Sequence, residues 1–234
     1  MWLTPEEWEV LRLSMRVALW SVLGSLPLAL AAAMVLARCR FPGRSAIDAA
    51  VHLPLVLPPV VIGYFLLLLL GRHGPLGALL EQYFGIVFSF RWTGAALAAA
   101  IMGFPLMVRA IRLSLEAVDE KLEAAARTLG AGWAVVFATV TLPLMLPGII
   151  TGMLLSFARS LGEFGATITF VSNIPGETRT LPLAIYTFTQ VPDGDAQALR
   201  LSIIAILLSL AALFFSELLA RRATRRLKGR DDHD

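Results

Sequence analysis

A single cysteine, Cys39, stands in the whole chain of 234 residues. That excludes an internal disulfide and a cysteine-rich metal site. Set between Arg38 and Arg40, it reads as an incidental loop residue. Charge is scarce as well: 16% of residues are Asp, Glu, Lys or Arg, against 57% apolar and a mean hydropathy of +0.74. So little polar sequence cannot cover the surface of a water-soluble domain of this length. The chain has no G-x-x-x-x-G-K-S/T loop, so it carries no phosphate-binding site of that kind. Neither a nucleophile–base set nor metal ligands fall together within the apolar stretches, which argues against an intramembrane enzyme. His52 and His73 are isolated and read as interfacial residues rather than ligands. The start is acidic, where a cleavable signal peptide would be basic. It reads as a helix start, with Thr4 as N-cap, Pro5 in the first turn, and Glu6 and Glu7 near the positive end of the dipole.

What the chain does have is long apolar runs. One bilayer crossing needs roughly 20 such residues, and the chain supplies about five runs of that kind. They cover residues 10–37, 47–70, 93–113, 140–161 and 198–219. The expected fold is therefore all-α, a polytopic transmembrane bundle in one domain over residues 1–234. The second run holds Pro54, Pro58 and Pro59, so its helix must bend or break. Aromatics between residues 72 and 92 suit a membrane interface, with a short helix near residues 76–84. In the third run, the small residues 95–100 and Gly103 permit close helix approach.

Basic residues gather near Arg38, near Arg109 to Arg127, and in a tail from Arg221 to Arg230. The positive-inside rule puts all three on the cytoplasmic side, which five spans achieve with the N-terminus outside. Arg12 and Arg16 dissent, lying near the outer face. A sixth span hidden in residues 164–190 would break the pattern. The tail arginines obey the topology rule first and bind anionic lipid second. The basic residues are read this way throughout, and no nucleic-acid partner is expected.

Residues 116–139 form the sharpest polar segment, a loop between the third and fourth runs, in which polar helix continues from the third run through Arg127 until Leu129-Gly130-Ala131-Gly132 breaks it. Glu123, Ala125 and Ala126 lie on a short helix, Gly130 permits a backbone reversal, and Leu142-Pro143 open the next span. Small side chains on a projecting helix suit docking into a cleft on another protein. By itself the segment reads equally well as an ordinary connection.

The spacing resembles a known pattern. Aligned on Gly130, the chain gives Ala125-Ala126, three residues, Gly130, nine residues, Val140, Leu142 and Pro143. This is similar to the E-A-A-x3-G-x9-I-x-L-P loop of permease subunits in binding-protein-dependent ABC importers. The motif's Glu position holds Ala124 here, and Glu123 sits one place earlier. A second stretch, from Ala158-Arg159-Ser160-Leu161-Gly162-Glu163-Phe164-Gly165 to Pro175-Gly176-Glu177-Thr178-Arg179-Thr180, resembles molybdate permeases, with sulfate permeases sharing its core. The resemblance implies a type I importer permease without its own ATPase site or cofactor. It also implies a homodimer, two cytoplasmic ATP-binding subunits and a periplasmic or extracellular oxyanion-binding protein. Molybdate is the implied cargo, with tungstate and sulfate or thiosulfate as alternatives.

The residues after position 158 fit a path for such an ion. Arg159 and Glu163 are four apart and can pair on one helix face. They would seal or line an outer gate, or serve as a snorkelling pair with no transport role. Thr167, Ser172 and Asn173 offer neutral groups that an oxyanion can pass without being trapped. Pro58 and Pro59 mark either a broken, path-lining helix or a bend tolerated by packing.

Overall fold

A computed structural model describes residues 3–228, and these are helical with no strand among them. Helix α1 (Pro5–Arg38) begins with the expected cap. The Glu7 N–H donates to Thr4 Oγ1 (3.2 Å), and the Thr4 N–H donates to Glu7 Oε2 (2.7 Å). At 1.5 Å per residue α1 is about 51 Å long, well beyond the ~30 Å hydrocarbon core.

The second apolar run is two helices, α2 (Arg44–Val56) and α3 (Pro59–Leu70), bent by 111° at the break. Two successive prolines explain it. A residue before proline is pushed out of the helical region, and both Leu57 and Pro58 precede one. Both are extended, with ψ of 143° and 132°. Helix α4 (Pro75–Phe84) is the short interfacial helix anticipated near residues 76–84.

Helix α5 (Trp92–Glu116) packs along both α1 and α8 (Leu142–Leu161). Its small residues make that approach feasible: Ala95, Ala98 and Ala99 are fully buried. The polar helix expected to continue to Arg127 is interrupted after Glu116. Asp119 caps a separate helix α6 (Glu120–Thr128) by accepting from the Lys121 N–H (2.9 Å). The fourth crossing starts earlier than expected. Helix α7 (Trp133–Val136) runs through a π-helical turn (Phe137–Thr141) directly into α8. Pro143 cannot donate to the preceding turn, and the π turn lies just before it, where it accommodates the lost bond.

Residues 164–190 hold two helices, α9 (Gly165–Val171) and α10 (Leu181–Phe188), each far too short to cross a bilayer. Helix α11 (Asp195–Lys228) follows; Arg230 of the basic tail lies outside the described residues. Among the described residues, four helical stretches are therefore long and apolar enough to cross a membrane, or five with the broken α2–α3 pair.

Among the described residues, three apolar cores lie along the bundle, one of them joining Val10, Leu11, Leu181, Ala184 and Leu201. Another joins Leu13, Val17, Leu66, Ala95 and Phe170; the third joins Ala29, Ala33, Met107, Ile111 and Met145. The outside is apolar too. Ile206, Leu207, Leu210 and Phe214 of α11 are all more than half exposed. Such a belt suits lipid or partner helices as solvent.

Candidate docking hairpin and outer gate

Helices α6 and α7 form a hairpin beyond the end of α5. Gly130 turns it with φ of +86°, a left-handed conformation in which any Cβ would be strained. The Gly130 and Ala131 N–H groups close the turn on Arg127 O (3.0 Å) and Ala126 O (3.2 Å). The outer surface of the hairpin is small and apolar. Ala125 is exposed, Leu129 is 89% exposed, and Trp133 is 68% exposed while stacking on Phe137. Ala126 and Leu142 are half-buried, and Pro143 is exposed.

Glu123 faces the other way. Its side chain is 12% exposed and accepts from Arg38 Nη2 (2.9 Å) and Thr141 Oγ1 (2.8 Å). Arg38 spreads its second nitrogen to Glu120 (3.0 Å). The structure thus gathers the end of α1, the α6 helix and the π turn around one carboxylate. A cavity of about 710 Å³ lies beside it, lined by Met34, Arg38, Glu123, Trp133 and Phe137 among others.

At the other end of α8, Glu163 is 2% exposed. Its Oε1 accepts from the Ala166 N–H (2.9 Å), capping α9. Its Oε2 lies 2.6 Å from Arg159 Nη1, an ion pair outside hydrogen-bond geometry. The start of α9 presses against the break between α2 and α3. A Cβ on Gly165 would lie 2.8 Å from Pro59 Cβ, and one on Gly63 would lie 2.5 Å from Ala166 O. Gly165, two residues after Glu163, therefore meets Pro59 where two chain breaks touch.

The other three path candidates sit apart from that meeting point. Thr167 is buried inside α9. Ser172 ends α9 with φ of +64° and gives its carbonyl to Thr178 Oγ1 (3.2 Å). Asn173 donates to Thr187 Oγ1 (2.7 Å) and accepts from Arg179 Nε (3.1 Å), so both ends of its amide are engaged. At 1.5 Å per residue Thr167 lies about 6 Å along the chain from Glu163, while Ser172 and Asn173 follow the far end of α9.

Two clusters escaped the sequence reading. Arg179 reaches Glu6 (2.7 Å), and Arg200 grips the fully buried Glu7 through Nε (3.1 Å) and Nη2 (2.8 Å). They bind the α9–α10 loop and the start of α11 to the start of α1. Glu6 and Glu7 were legible only as helix-start acids, because their partners lie more than 170 residues away. Asp48, Arg112 and Glu116 form a second cluster joining α2 to α5. Arg16, one of the two dissenting arginines, lies 3.7 Å over the ring of Trp92.

An apolar bundle of crossing helices, interrupted by a hairpin with this glycine-turn spacing, defines a membrane transport component. The chain belongs to the family described as the inner membrane component of binding-protein-dependent transport systems, which matches residues 12–225. It is 61% identical to the molybdenum transport system permease protein ModB of Escherichia coli (strain K12), over 96% of this chain and 98% of that protein. It is 58% identical to the protein of the same name in Haemophilus influenzae, over 94% and 96% of the two chains. The sulfate transport system permease protein CysT of Salmonella typhimurium is 40% identical over 84% of this chain. Among solved structures, a bacterial ABC transporter importing the acidic polysaccharide alginate superposes with a TM-score of 0.73 over 94% of this chain and 80% of its own, at 15% identity. An amino acid ABC transporter superposes with a TM-score of 0.65 over 93% and 94% of the two chains, at 20% identity. At those identities the likeness concerns the fold alone.

Proposed function

We propose that this chain is the membrane pathway of a molybdate importer, acting as a single permease domain powered by ATPase subunits that are separate chains. The observation that carries the cargo is the 61% identity, over nearly the full length of both chains, to a protein named for molybdenum transport. The hairpin supports the power source. Its exposed face of Ala125, Leu129 and Trp133 is fit to enter a partner's cleft, and its base is tied to α1 and α8. ATP-driven closure of two such partners would pull two hairpins and rock two copies of this chain between inward- and outward-open states. A periplasmic or extracellular oxyanion-binding protein would deliver the ion.

Two contacts support one orientation in the membrane. Arg38 meets Glu120 and Glu123, so the end of α1 and the hairpin share one side. Glu7 meets Arg200, so α1 and α11 start together on the opposite side. Arg38, Arg40, Arg44 and the far end of α11 then share the hairpin's side, which the positive-inside rule makes cytoplasmic. The N-terminus is outside. Arg16 is accommodated there by stacking on Trp92 at an aromatic-rich interface.

In this reading the outer gate is the contact between the α2–α3 break and the start of α9. Arg159 and Glu163 lock it, Pro58 and Pro59 form its other wall, and Thr167, Ser172 and Asn173 hold α9 and its loop in place behind it. The test is metal accumulation in cells lacking this chain, at low molybdate, with sulfate uptake as the control. Accumulation should fall and return with the restored gene, while sulfate uptake is unchanged. Normal molybdate accumulation, or a defect in sulfate uptake instead, removes the assignment.

A further inference from the structure

We infer that Glu123 is an internal strut, which couples the docking hairpin to the transmembrane helices rather than contacting the ATPase. The inference rests on the reading of the hairpin as the docking element and concerns how motion leaves it. Three observations converge. Glu123 lies one residue before the register of the docking motif's acid, which turns its side chain about 100° around the helix from position 124. Ala124 is exposed at that position, whereas the Glu123 carboxylate is 12% exposed and faces the bundle. Its oxygen Oε1 holds both Arg38, the last residue of α1, and Thr141, the last residue of the π turn leading into α8.

The placement matters mechanically. A helix as short as α6, nine residues in all, has little rigidity of its own. Around it are two chain breaks, at Ala117–Asp119 and at Gly130, which would let it swing without moving the bundle. The carboxylate spans the Gly130 break and ties α6 across to α1. It joins α6 to α1 on one side and to α8 on the other, by charge-assisted bonds shielded from water on most of their surface. Arg38 doubles the α1 tie through Glu120, but Glu120 is 84% exposed, so that arm is the weaker. Arg127, 4.0 Å from Glu123 Oε2, contributes a looser contact from within α6 itself. A pull on the hairpin therefore reaches α1 and α8 together.

Arg38 is a positioning residue in this account and touches neither cargo nor nucleotide. The chain's single cysteine, exposed at position 39, provides a reporter beside it. In the complex with its ATPase subunits, a spin label on Cys39 and a second on Ala131→Cys should give one narrow distance. That distance should be the same without nucleotide and in a complex trapped with ATP and vanadate. Arg38→Ala should broaden it while the ATPase subunits still copurify. In proteoliposomes, Arg38→Ala and Glu123→Ala should each lower cargo moved per ATP hydrolysed by about fivefold or more. The double variant should be no worse than either, because one strut is lost in all three. Glu123→Gln, which keeps an acceptor for Thr141 and Arg38, should recover part of the ratio. The strut is overturned if the wild-type distance changes with trapping, if the two substitutions add, or if Glu123→Ala alone releases the ATPase subunits. The distance measurement needs no cargo, so it stands even if the transported ion is not molybdate.

Discussion

Replacing Glu163 with glutamine removes one charge from the outer gate and almost no volume. Glutamine keeps a carbonyl oxygen for the Ala166 N–H that Glu163 Oε1 now accepts at 2.9 Å, so the cap on α9 survives. The ion pair to Arg159 at 2.6 Å does not. Breaking a buried pair by removing one partner costs about 3–5 kcal/mol. Arg159 is 28% exposed and keeps part of its hydration, which brings this pair below that range, to about 2–3 kcal/mol. If the closed gate holds that energy and the open gate does not, the open-to-closed ratio should rise by about 30- to 150-fold. The assay is ATP hydrolysis by the reconstituted complex without binding protein, which should climb as the gate loses its lock. Glu163→Ala removes the cap as well and should cost about 1 kcal/mol more in thermal stability than the glutamine variant. Wild-type basal hydrolysis and undiminished transport in Glu163→Gln would refute the gate. Equal melting of the glutamine and alanine variants would refute the cap.

Four further outcomes follow from the same geometry. Ala125→Trp should block docking, seen as lost copurification of the ATPase subunits with normal membrane insertion. Gly130→Val, forced to φ of +86°, should strain the turn by about 1–2 kcal/mol and weaken the same copurification. Glu7→Gln leaves Arg200, itself 40% exposed, without its buried carboxylate and should lower stability by about 2–3 kcal/mol, read from thermal unfolding of the purified protein. Gly63→Leu drives a side chain into Ala166 and Thr169 and should separate α3 from α9, costing about 1–3 kcal/mol and impairing transport.

Much of the fold was legible because its causes are local. The prolines at 58 and 59 dictated the break in the second crossing, Thr4 with Glu7 dictated the first cap, and apolar run length located the crossings. Boundaries failed where a local signal was overridden. Asp119 opened a new helix where a continuous one was expected, and a π turn carried α7 into α8 through Pro143. The turn of the hairpin and the entry to the fourth crossing were legible as spacing, since Gly130 and Leu142-Pro143 act through backbone conformation. The direction of Glu123 was not, because its partners Arg38 and Thr141 come from other segments. The geometry behind the proposed gate was half legible. The i,i+4 pair of Arg159 and Glu163 is a sequence feature, but the approach of neighbouring Gly165 to Pro59 depends on how α3 and α9 pack. Asn173 read as a free polar group, yet its loop folds back and uses both ends of the amide.

The central claim is that this chain passes molybdate when driven by its ATPase partners. Proteoliposomes holding the purified complex, with ATP on the hairpin side and binding protein on the other, test it most directly. The account predicts molybdate accumulation that needs both ATP and binding protein and that is not displaced by equal sulfate. Accumulation of sulfate in preference, or ATP hydrolysis with no oxyanion moved, would contradict it.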